Sequence, residues 1–230
     1  MSVTYTWPST AGWDANAFEM RVIPNAFTFT STYSKTTQTI DFLGERWAAK
    51  VDLANDNNNI LGAAREAFFD RLRGPVNLIA MWNLRRPLPQ GTLRDGGGTA
   101  QWKNNAAVNA NWVNNVAAAA TWSASGPVIY AANQLDGTIV IATTPGKTLL
   151  AGDHFGAGLQ LFRVMADATA DSAGKLTVEV LPRVRTTLPI STPVVCTKPT
   201  ANFMLKADGV PITWRPGMFD GASLDLIEAY

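Results

Sequence analysis

Residues 18–53 read FEMRVIPNAFTFTSTYSKTTQTIDFLGERWAAKVDL, and the alternation in this stretch decides the fold class. Phe18, Met20 and Val22 alternate with Glu19 and Arg21. Phe27 and Phe29 alternate with Thr28 and Thr30. Ile40 and Phe42 share a face, and Trp47, Ala49, Val51 and Leu53 lie two apart against Arg46, Lys50 and Asp52. A period of two in β-branched and aromatic residues is the signature of a strand. Pro24-Asn25 and Gly44 break the run, so four strands are expected here.

Downstream the period changes. Leu61, Ala64, Phe68 and Leu72 fall on one helical face, with Arg65, Glu66, Asp70 and Arg73 largely on the other. Asp56 or a neighbouring Asn supplies an N-cap and Gly74-Pro75 a stop, which places one main helix at about 56–74. Val76 to Trp82 reads as a short apolar strand. Residues 83–100, with Pro87, Pro89, Gly91 and Gly96-Gly97-Gly98, read as a boundary loop. From Val128 onward short strands recur between turn residues: 138–142, 159–164, 175–180, 194–195 and 203–205. That spacing suggests a small antiparallel barrel or sandwich. The alternating end, 223–228, reads as a strand returning to the first sheet. The expectation is a mainly β protein: a β-barrel or sandwich-like domain at 1–95, rejoined by 207–230, and a second small antiparallel domain at 96–206.

Composition narrows function by exclusion. Only 16% of the 230 residues are charged, against about 25% in an average soluble protein. The net charge of +1 supplies no global field for nucleic acid or an anionic membrane. No run approaches the ~18 apolar residues of a spanning helix. The N-terminus lacks a basic region followed by an apolar stretch, so no secretory signal is expected. The single cysteine, Cys196, excludes an intrachain disulfide and any Cys-cluster metal site, and it reads as a small apolar filler. The single histidine, His154, excludes paired-histidine zinc sites. Low charge with eight tryptophans suits a surface partly covered by other subunits; a large core beneath an uncharged polar surface is the alternative.

Each chemical motif has an ordinary explanation. Thr143-Thr144-Pro145-Gly146-Lys147-Thr148 ends like a phosphate loop but has Ile141 where the first glycine belongs, so a hairpin turn is expected. Asp153-His154 are chain neighbours, which point to opposite faces of a strand. Asp167, Asp171 and Gly174 lack the ligand pattern of a calcium loop. Glu19, Asp41, Glu45 and Asp52 show no spacing that singles out a hydrolytic pair, and solvated strand faces are expected. Trp102, Trp112 and Trp122 recur every ten residues in an Asn- and Ala-rich segment, 101–125, which keeps the rings on one face of a strand. Three roles fit the repeat: an aromatic platform for sugars or bases, an arm against a neighbouring subunit, or core.

The order of segments carries a resemblance. It lies in T-I-D-F-L-G-E-R-W-A-A-K-V-D-L (39–53), A-F-F-D-R-L-R-G-P (67–75), R-R-P-L-P-Q-G-T (85–92), L-L-A-G-D-H-F (149–155), the stretch from Gln160 to Pro182, and S-L-D-L-I-E-A (223–229). These segments resemble distal tail, or tail-tip (baseplate), proteins of long non-contractile-tailed bacteriophages. The resemblance implies a structural virion protein without enzymatic activity or cofactor. Its N-terminal domain would join a ring, a hexamer or less often a trimer, between the tail tube and the hub or fibre proteins. It implies a location at the virion tail tip, after assembly in the bacterial host cytoplasm. No catalytic, cofactor or metal residues are carried over, and no nucleic acid or membrane insertion is implied; Trp102, Trp112 and Trp122 are the expected interface residues. Two alternatives are a carbohydrate-binding module that recognises a host receptor and a cell-wall glycan hydrolase using paired carboxylates.

Overall fold

The computed structural model describes residues 2–95, 102–103, 109–110, 126–207, 209–212, 214–215 and 218–229. It is mainly β, with a curled half-barrel sheet and further antiparallel sheets. The strands are β1 (Thr4–Thr6), β2 (Ala15–Ile23), β3 (Ala26–Thr30), β4 (Thr37–Asp41), β5 (Arg46–Leu53) and β6 (Leu78–Met81), with helix α1 (Asn59–Leu72) between β5 and β6. There follow β7 (Trp102–Lys103), β8 (Asn109–Ala110), β9 (Val128–Ala131), β10 (Thr138–Ala142), β11 (Thr148–Leu149), β12 (His154–Ala157) and β13 (Gln160–Val164). The last are β14 (Ala168–Thr169), β15 (Lys175–Leu181), β16 (Val194–Val195), β17 (Ala201–Leu205), β18 (Trp214–Arg215), β19 (Met218–Phe219) and β20 (Ala222–Glu228).

The first sheet runs β1-β6-β17-β20-β5-β2. All its pairings are antiparallel except β1 with β6. The alternation read in the sequence sets its two faces. Trp47, Val51, Leu224 and Leu226 are buried, while Lys50, Ser223 and Asp225 face out. As expected, the chain end returns to this sheet, and it does so in the interior, with β20 between β17 and β5. Trp7, Trp13, Trp47 and Trp82 all belong to the core of this sheet, so half of the eight tryptophans are used internally.

Helix α1 differs from the expected one in its rotation. Asn58 is the cap, its Oδ1 accepting from the Ile60 and Leu61 amides at 3.0 and 3.3 Å. The helix ends as Arg73 and Gly74 enter the left-handed region (φ 52° and 63°) ahead of Pro75. The face turned inward is Gly62, Arg65, Phe69 and Leu72, while Ala64 is exposed. Arg65 was expected outside and is buried because both terminal nitrogens of its guanidinium find partners within. It donates to the carbonyls of Ala54 and Gly12, pairs with Asp56 at 3.7 Å and lies 4.9 Å over the Phe219 ring. A buried charge needs such a set. Gly62 is fixed by the same crowding, since a Cβ there would come within 2.6 Å of the Trp214 ring.

The second sheet runs β16-β12-β13-β15-β10-β9, antiparallel throughout, with the small β11-β14 pair beside it. Its core is aliphatic, around Ile139, Ile141, Leu176, Val178, Phe155 and Phe162. Cys196 lies fully buried in it, where burial pushes the thiol up to about 12, in keeping with a packing role. Residues 143–147 turn between β10 and β11, with Gly146 at φ 75°. Asp171 caps its own turn, its Oδ1 accepting from Ala173 and Lys175 amides.

The path between the sheets departs from the expected boundaries at two places. Residues 201–205, expected in the second domain, form β17 inside the first sheet. Residues 87–95, expected with the first domain, run along the second sheet, and Leu93 packs in its core. Two carboxylates hold this segment there. Asp153 accepts from the amides of Gln90, Gly91 and Leu150 at 2.7, 2.9 and 2.9 Å. Asp95 accepts from the amides of Cys196 and Thr197. Hydrogen bonds of this kind are invisible to local patterning because the partners are some 60 to 100 residues apart.

Candidate functional site: a projecting hairpin on a rigid body

Strands β3 and β4 pair only with each other, in register from Ala26↔Asp41 to Thr30↔Thr37. They continue the β2–β5 ladder, whose last pair is Ile23↔Arg46, past a break. Pro24 has no N–H to offer the ladder, and Leu43 sits in the left-handed region at φ 55°, held by its amide on Asp41 Oδ1 at 3.0 Å. A single bond, Phe42 amide to Asn25 carbonyl at 2.8 Å, bridges the break. Beyond it the ribbon leaves the body as an arm.

The two faces of the arm are unlike. One carries a threonine ladder, with Thr28–Thr39 and Thr30–Thr37 hydroxyl pairs each at 3.3 Å. The other carries Phe27, Phe29, Ile40 and Phe42 by the same register. These four are 58%, 58%, 56% and 59% exposed, and Tyr33 at the tip is 99% exposed. With about 200 Å² per large side chain, the four leave more than about 400 Å² of contiguous apolar surface uncovered. Apolar patches of that size are often functional. A lone two-stranded hairpin is also marginal in water without something to pack on. The sequence pattern locates these strands but implies that Phe27, Phe29, Ile40 and Phe42 face a core, which they do not.

The body behind the arm is locked across its seam. The fully buried Trp47 donates its Nε1–H to the Leu161 carbonyl at 2.8 Å, and Arg163 lies 4.9 Å over its ring. Glu228, at the end of β20, is buried and pairs with Arg185 of the segment that follows β15; its Oε2 also accepts from the Trp47 amide at 2.9 Å. Burial raises the Glu228 carboxyl above its ordinary value, and Arg185 pulls against that. Glu45 meets Arg183 at 3.8 Å. Hydrogen bonds and ion pairs thus join the two sheets across the seam.

The sequence-level candidates are dispersed. Glu45 was expected on a solvated face but is buried at the seam, where Arg183 of the segment after β15 reaches it. Asp41 caps the base of the arm. Glu19 stands opposite Lys50, which stands opposite Asp225, in a row of alternating sign across three strands. Asp52 lies in the same ladder as these. Among the described residues no three metal-ligating side chains converge, and no helix is long and apolar enough to cross a membrane. Of the tryptophan repeat, Trp102 falls in the short β7–β8 pair, and Trp112 and Trp122 lie outside the described residues. No family model matches the chain, and no curated protein matches it.

Proposed function

We propose that this chain is a structural subunit of a phage tail tip, of the distal-tail type, that joins a ring between the tail tube and the hub or fibre proteins. The observation that carries the reading is the arm. It projects beyond the β2–β5 ladder of the first sheet and presents an apolar face that stays more than half open among the described residues. In a cyclic ring each subunit offers two different lateral faces, one receiving what the other presents, and a hairpin reaching to the neighbour meets that need. The low charge of the chain agrees with interface cores, which are depleted in charge. The ion pairs and the tryptophan hydrogen bond across the seam favour a scaffold over a hinged catalyst.

The test is the state of the purified full chain at rising concentration, by light scattering and negative-stain microscopy. Closed rings, with masses that are whole multiples of 24.8 kDa, are expected. A chain that stays monomeric on addition of tail-tube and hub proteins, with the arm's phenylalanines still open to solvent probes, would overturn the reading.

A further inference from the structure

A cleft of about 410 Å³ lies on the seam, where the outer edge of β2 meets the β12–β13 hairpin. Three arginines line it: Arg85 and Arg86 from the segment after β6, and Arg163 from β13. Among the described residues none of the three pairs with a carboxylate. Arg86 Nη1 donates to the Gly152 carbonyl at 3.1 Å, and Arg163 Nη2 to the Met20 carbonyl at 3.2 Å. Glu19 stands on the wall but is exposed and lies beside Arg21, at 3.6 Å. Asp153 is close to His154 in the chain, yet its oxygens are committed to three backbone amides. Cations gathered without a direct ion pair repel one another, and burial with the charge of Arg86 lowers the Arg163 guanidinium below its usual value.

A second observation comes from His154, which lines the same cleft and is only 4% exposed. Its Nε2 faces Arg163 Nε at 3.5 Å. A guanidinium N–H only donates, so Nε2 carries the lone pair and a neutral ring holds its proton on Nδ1. That Nδ1 is buried and has no partner. The ring thus turns its lone pair toward Arg163 at the cleft wall, while Nδ1 faces the interior.

We propose that the cleft binds a compact oxyanion, a phosphate or carboxylate group, held by the guanidiniums of Arg86 and Arg163 with Arg85 at the rim and His154 Nε2 positioning the Arg163 side chain. Guanidinium forks match the paired oxygens of such groups and gain most where water is partly excluded. Neither the arm nor the ring reading is needed for this site, so either can fail without the other.

The test is calorimetric titration of the full chain with inorganic phosphate and, separately, with succinate, at constant ionic strength set with chloride. Saturable binding of at least one is expected. R86Q removes an exposed side chain whose one contact is a carbonyl, so the fold is retained, as circular dichroism will verify. It is expected to weaken binding about tenfold. H154F is expected to weaken it less, and K35Q, which removes a charge on the arm, not at all. Binding of phosphate but not succinate assigns the site to phosphoryl groups; the reverse assigns it to carboxylates. Absence of saturable binding of both up to ~20 mM, or equal binding by the wild type and R86Q, overturns the proposal.

Discussion

Replacing Phe27 and Phe42 together by serine separates an arm made for a partner from one that merely packs on its own body. A buried phenylalanine covers about 200 Å². With 58% and 59% of the two residues open in the single chain, about 230 Å² awaits a partner. At ~25 cal/mol per Å² that is about 6 kcal/mol of favourable transfer on contact. Ordering of side chains and lost rigid-body freedom offset part of it, and a net loss of about 3 kcal/mol, roughly a hundredfold in the association constant, is expected for the variant. The stability of the isolated chain, by contrast, should move by no more than about 0.5 kcal/mol, as for other surface positions. Phe69→Ala in the core under α1 provides the scale, at about 3–5 kcal/mol. Urea unfolding at high dilution and sedimentation velocity at rising concentration measure the two quantities on the same samples. If F27S/F42S lowered the unfolding free energy as much as F69A, or left association untouched, the arm would not be an interface element.

Three further outcomes follow from the interior. Burial, with the charges of Arg163 and Arg86, holds the His154 imidazole down to about 4, so the folded chain keeps it neutral while the unfolded chain protonates it near 6.5. Its contribution is therefore complete above pH 6.5 and is lost as the pH falls toward 4, by about 3 kcal/mol; urea midpoints against pH should show this slope, and H154F should flatten it. Asp153→Asn exchanges one accepting oxygen for a donor facing backbone amides and is expected to cost about 2–3 kcal/mol and to expose 87–95 to limited proteolysis; an unchanged cleavage pattern would show that the carboxylate does not hold the segment. Gly91→Ala would place a Cβ 2.2 Å from the Thr148 carbonyl oxygen and 2.8 Å from Leu149 Cα, backbone atoms that cannot swing aside. A loss of about 1–3 kcal/mol in unfolding free energy is expected, and a neutral result would mean that the two segments part easily.

The sequence by itself determined the elements that rest on local rules. Period-two patterning located β2, β3, β4, β5, β10, β13, β15 and β20, and the cap and stop residues placed α1 within a few residues of its ends, because side-chain alternation and capping act over a handful of positions. It also established the economy of charge that any functional reading has to explain. What only the tertiary structure decided is which faces are covered. Arg65 turns inward because carbonyls from other segments meet it, and Glu45 is buried where Arg183 arrives from the segment after β15. The phenylalanines of the arm obey the same alternation as Trp47 and Val51, yet they stay open because Pro24 and Leu43 break the ladder and carry them away from the core. The cleft of Arg85, Arg86 and Arg163 is likewise a product of folding, since it joins side chains nearly 80 residues apart. Alternation states that two faces differ; only the packing of remote segments states what each face meets.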